Sequence, residues 1–95
     1  MTKPHHWRRR RWPATNAELY NAAKEALGWS HEKMGHICGV TERTPYRYSS
    51  GEVEMPPPAG QLLKLLVLLN MTMSASKFDA IVEQLLESEA KRRAA

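Results

Sequence analysis

SHEKMGHICGVTERTPYRYSSG, Ser30–Gly51, sets the architecture expected of this 95-residue chain. It reads as two short helices joined by a tight turn. Ser30 is a good N-cap, because its hydroxyl can accept from a free amide of the first turn. Met34, Ile37 and Cys38 follow at i, i+3 and i+4, one face of a helix. Gly39 stands just past them, where a left-handed residue closes a helix with least strain. Thr41 is a second N-cap candidate, with a helix expected over Glu42–Ser49 and Gly51 to end it. Val40 and Pro45 occupy the two positions of a hydrophobic staple at that start. Helices this short bury little alone. One is therefore expected to cross the other and leave the outer face of the second free.

On that outer face Glu42, Arg43, Tyr46, Arg47 and Ser50 fall together at helical spacing, while Pro45 and Tyr48 turn inward with Val40. A helix about 10–12 Å across fits the major groove of B-DNA. The arginine fork matches O6 and N7 of guanine, and a carboxylate can accept from N4 of cytosine. Such a face alone can equally be a solvated surface. The packed turn before it and a basic arm upstream favour a nucleic-acid partner.

Carried by these residues, the segment resembles the helix-turn-helix of the lambda-repressor-like (Cro-type, XRE-like) family of bacterial and phage regulators. The family pattern is roughly L-G-x-S-x-x-x-L-A-x-x-x-G-V-s-x-x-t-V-x-r-W-e-x-G. Leu27, Gly28, Ser30, Met34, Gly35, Gly39, Val40, Thr41, Thr44, Arg47, Tyr48 and Gly51 stand at matching places. The later MPPPAGQLLKLLVLL is similar to the family's Pro-containing loop and leucine-rich helix, so the likeness runs from about Ala17 to Leu69. It implies that Glu42, Arg43 and Arg47 read bases, beside Thr44 and Tyr46 on the same helix. It also implies that Ser30, His31, Thr41 and Ser50 lie near phosphates. Three positions depart from the pattern. His31 replaces a glutamine, so a phosphate donor there would depend on pH. Gly35 replaces alanine. Pro45 replaces a buried valine and, as the fourth residue of the expected helix, should tighten or bend its start.

The chain is short enough for one small domain with tails. Its single cysteine excludes an internal disulfide framework and suits a reducing cytosol. The longest apolar run, Leu65–Leu69, cannot span a bilayer. The arginines near the N-terminus are followed by no apolar stretch, so no secretory signal is expected and a cytoplasmic protein is. His31, Glu32 and His36 approximate the zinc motif H-E-x-x-H but are one residue too long, which sets the two rings about 140° apart on a helix. Neither a metal nor another cofactor is expected. No nucleophile–base pairing, phosphate-binding glycine loop or carboxylate pair appears, so no catalytic residue is assigned and no enzyme is expected.

Residues 1–14 read as a disordered basic arm. The chain has fourteen Lys and Arg against ten Asp and Glu, a net charge of +4. Lys3, Arg8, Arg9, Arg10 and Arg11 contribute five of those positive charges, leaving nine against ten, or −1, for the rest. Arginines on such an arm suit the negative potential of a narrow minor groove, with Trp7 and Trp12 placed to pack beside them.

Thr15–Gly28 is an expected helix. Thr15 and Glu18 form a capping box, Leu19, Ala22, Ala23, Ala26 and Leu27 form the core stripe, and Tyr20, Lys24 and Glu25 face out. Trp29 should cover the core. Glu52–Pro58 should be a stiff, extended loop. A fourth helix over Ala59–Leu69 is apolar nearly all round and needs two partners: the motif helices, and either the C-terminal helix or a second subunit. Ser76 with Asp79 should open a last helix over Lys77–Arg92, with Phe78, Ile81, Val82 and Leu85 as its stripe and Leu86 at the margin. The division expected is a helix-turn-helix domain over 15–70 and a C-terminal helix over 71–95 serving dimerisation. The interface assigned comprises Leu66, Leu69, Phe78, Ile81, Val82 and Leu85.

These readings converge on an all-α, lambda-repressor-like domain of about five helices. Its expected function is a sequence-specific, double-stranded-DNA-binding transcriptional regulator, in the first place a repressor on a palindromic operator as a homodimer. The alternatives are an antitoxin-type autoregulator that also binds a protein partner, and a non-DNA interaction adaptor on the same scaffold.

Overall fold

The computed structural model describes residues 15–94, which form five helices and no strand: α1 (Asn16–Leu27), α2 (His31–Cys38), α3 (Thr44–Ser50), α4 (Pro57–Thr72) and α5 (Ala75–Ala94). The arm with Lys3, Arg8, Arg9, Arg10 and Arg11 lies outside the described residues. No described helix is long and apolar enough to cross a membrane.

Helix α1 begins where expected, with Thr15 Oγ1 accepting from the Glu18 amide at 3.1 Å. It packs on α3 and α4. Leu19 and Ala23 are buried, but so is Tyr20, which was expected to face out. The stripe is wider than the alanine pattern suggested because α1 is covered on two sides. Tyr20 therefore fills the main core with Met34, Tyr48, Met55, Leu63 and Val67.

Helix α4 is longer than expected at both ends. Pro56 alone keeps the extended backbone (φ −63°, ψ 153°), while Pro57 and Pro58 form the first turn of the helix. A first turn needs no amide donor, and the proline φ already suits it. The helix continues through Asn70 to Thr72, whose hydroxyl donates to the Leu68 carbonyl at 3.1 Å. Its principal partner is α1, with Leu63 and Val67 in the main core. Its other side sends Leu66 into a second cluster with Phe78 and Val82, beneath Trp29 and Ile37. Each such side chain removed from water contributes about 1.5–3 kcal/mol.

Helix α5 starts earlier than expected. Ser74, not Ser76, caps it, accepting from the Lys77 amide at 3.3 Å. It packs on α2 and α4. Phe78 and Val82 are buried, Ile81 and Leu86 are half-buried, and Leu85 is 38% exposed. The inward stripe thus runs Phe78–Val82–Leu86, and Leu85 turns out of it. Trp29 covers the junction, its ring 6.3 Å from that of Phe78. Leu66, Phe78 and Val82, assigned to a dimer interface, are enclosed within the chain itself.

Candidate nucleic-acid interface

Helix α2 is built as its sequence dictates. Ser30 Oγ accepts from the Lys33 amide at 3.2 Å. Gly39 ends the helix at φ +71°, a conformation that a β-carbon strains. The far end of α5 closes over this turn: Arg92 Nη2 lies 2.7 Å from Glu89 Oε1, and both side chains stand against Gly39.

The start of α3 departs from expectation. The helix begins at Thr44, not Glu42, and Thr41 caps no amide. The cause is Pro45. A helix opening at Glu42 would need a Pro45 N–H to reach the Thr41 carbonyl, and proline has none. The Thr44 amide takes that carbonyl instead, at 3.1 Å, making a tighter turn. The Thr41 and Thr44 hydroxyls bond each other at 2.8 Å. Glu42 and Arg43 therefore sit in the turn ahead of the helix, and Pro45 becomes its second residue, which a proline tolerates.

The division into buried and exposed residues is nonetheless the expected one. Pro45 and Tyr48 are buried, while Glu42, Arg43, Tyr46, Arg47 and Ser50 are exposed. Glu42 and Arg43 make no side-chain hydrogen bond or ion pair among the described residues. Arg47 Nε lies 4.0 Å from Glu52 Oε2, an exposed pair that contributes little. Ser50 Oγ donates to the Arg47 carbonyl at 3.2 Å and accepts from the Glu52 amide at 3.3 Å. Ser50 thus serves the helix end first.

Two asparagines of α1 brace this face, and nothing in the sequence marked them. Asn21 Nδ2 donates to the Ser49 carbonyl at 3.0 Å, and Ser49 Oγ donates back to Asn21 Oδ1. Asn16 holds the following loop, accepting from the Met55 amide at 2.8 Å.

His31 is held between two tyrosines. Its Nδ1 lies 2.9 Å from the Tyr20 hydroxyl, and its ring centroid is 4.3 Å from that of Tyr46. Burial, and secondarily Lys24, lowers its pKa below the ordinary histidine value. The structure brings His31 and Tyr46 together and leaves Ser30, Thr41 and Ser50 occupied with local bonds. No described group of His, Cys, Asp and Glu is arranged to hold a metal ion.

Comparison of the chain with protein-family models, with curated proteins and with solved structures returned no match.

Proposed function

We propose that this chain is a sequence-specific DNA-binding regulator of the lambda-repressor-like kind, with α3 and the turn before it reading the major groove. One observation carries the reading: a row of exposed, hydrogen-bond-capable side chains, Arg43, Tyr46 and Arg47, is backed by the buried Pro45 and Tyr48. Rigid backing matters because a side chain fixed before binding loses less entropy when it meets a base. Glu42 adds an acceptor suited to cytosine N4.

A single module of this size buries too little surface to select sites in a genome. The proposal therefore includes a homodimer on a palindrome. With Leu66, Phe78 and Val82 used internally, the apolar side chains left for a second copy are the exposed Leu65, Leu68 and Leu85, with the half-buried Leu69 and Ile81. Occlusion of polymerase in the cytoplasm is the simplest mode of action.

The test is protection of guanine N7 from methylation on a bound duplex. Wild type should protect guanines in the major groove, and Arg43→Ala should lose protection at one of them. Unchanged protection would remove Arg43 from the reading surface.

A protein-interaction adaptor is the second reading. It is favoured by Glu52 and Glu54, exposed carboxylates in the loop beside the same face that would repel phosphates. A partner held equally well at high salt, with no response to duplex, would select it over DNA binding.

A further inference from the structure

Rings from three helices meet beside the exposed row of α3. Tyr20 of α1 is fully buried, and the edge of Tyr48 from α3 packs against it with centroids 5.9 Å apart. The hydroxyl of Tyr20 reaches out of the core to His31, the first residue of α2, at 2.9 Å. Burial, with smaller contributions from Cys38 and Tyr46, pushes the Tyr20 phenol above its ordinary range, so it keeps its proton. A buried hydroxyl proton needs an acceptor, and Nδ1 of a neutral His31 is the one at hand. That bond orients the imidazole, because it ties the ring to a side chain that cannot move. Against the oriented imidazole lies Tyr46, centroid to centroid 4.3 Å with a tilt of 42°.

Tyr46 is 60% exposed on a helix of seven residues. An unsupported tyrosine there would sample several rotamers. Supported by His31, it presents one edge and one hydroxyl direction.

We infer that His31 is a positioning residue for recognition: held by the Tyr20 hydroxyl, it fixes the Tyr46 ring so that Tyr46 discriminates at one base-pair position. The inference rests on the proposed function and deepens it. It also separates two roles for His31, since a phosphate donor would affect every duplex alike, whereas a support for Tyr46 acts at one position.

The test uses the full chain, a preferred duplex selected by wild type, and single-base-pair variants of that duplex, with binding followed by fluorescence anisotropy. Tyr46→Ala should lower discrimination about tenfold at one position, the scale of one lost base contact. His31→Ala and His31→Gln should lose it at the same position, and the double variant His31→Ala with Tyr46→Ala should be no worse than either single change. Tyr20→Phe, which cannot reach DNA, should show a weaker loss there. Circular dichroism of each variant gives the folded fraction by which affinities are corrected, and His31→Gln keeps a polar residue at the helix start should His31→Ala fail to fold. Losses spread evenly over all duplexes, or adding fully to those of Tyr46→Ala, would overturn the inference alone. So would the absence of ring-to-ring nuclear Overhauser effects between His31 and Tyr46 in the free protein. A wild type with no preferred duplex would overturn both the inference and the function beneath it.

Discussion

Gly35 and Pro45 are in direct contact: a β-carbon added at Gly35 would lie 2.9 Å from Cγ of Pro45. The proline ring occupies the space that a helical alanine would need, and the glycine lets α2 and α3 cross at that point. The absent side chain of the one and the bulky ring of the other thus compensate. Gly35→Ala gains about 1 kcal/mol of helix propensity but overpacks a rigid ring, which costs about 1–3 kcal/mol. Urea denaturation should show a net loss for Gly35→Ala. Adding Pro45→Val should recover part of it, with the two changes clearly non-additive.

The two serine and threonine caps read in the motif differ in the structure, and stability should register the difference. Ser30→Ala removes an acceptor from the Lys33 amide and should cost about 1 kcal/mol. Thr41→Ala removes only an exposed hydroxyl pair with Thr44, so its cost should stay within about 0.5 kcal/mol. Paired denaturation curves at one pH decide this.

Stability should also depend on the charge of His31. Its folded pKa lies below the ordinary value of 6.5. Between the two values the unfolded chain binds more protons, so stability rises with pH there. The contribution is complete above pH 6.5 and is lost as pH falls toward the folded pKa. His31→Gln should flatten the urea midpoint across this window, and a nuclear magnetic resonance titration of the ring should give a low midpoint.

The basic arm should act through salt rather than sequence. Removing Lys3 and Arg8, Arg9, Arg10 and Arg11 takes away five charges. Each phosphate contact contributes about 0.9 to the slope of log affinity against log salt. Deleting the arm should therefore shallow that slope by up to about 4–5 per chain, with base preference unchanged in the same titrations.

Local signals were legible wherever one residue decides one bond. Ser30, Gly39 and Gly51 bound their helices as read, since a hydroxyl at a helix start and a glycine past its end each answer a local need. The outward row on α3 was legible too, because Pro45 and Tyr48 mark its opposite side. What escaped depended on partners far along the chain. Tyr20 lies off the alanine stripe, one turn before Lys24, yet α3 and α4 cover it. Leu66, Phe78 and Val82 form an apolar surplus when each helix is taken alone, and they satisfy one another once α4 and α5 meet. The start of α3 failed for a different reason. Thr41 offered the better cap chemistry, but the missing Pro45 amide decided where α-helical bonding could begin. The Tyr20–His31–Tyr46 contact had no signature at all, since its members are 11 and 15 residues apart in sequence and meet only through tertiary packing.

The central claim is that the exposed row on α3 and the turn before it chooses bases. Selection of bound duplexes from a random pool, at physiological salt and with the full chain, tests it most directly. Enrichment of a palindrome with half-site centres about 34–36 Å apart, shifted at defined positions by Arg43→Ala and Arg47→Ala, is the predicted result. A pool that emerges as random as it began, or a preference that neither substitution alters, would contradict the account.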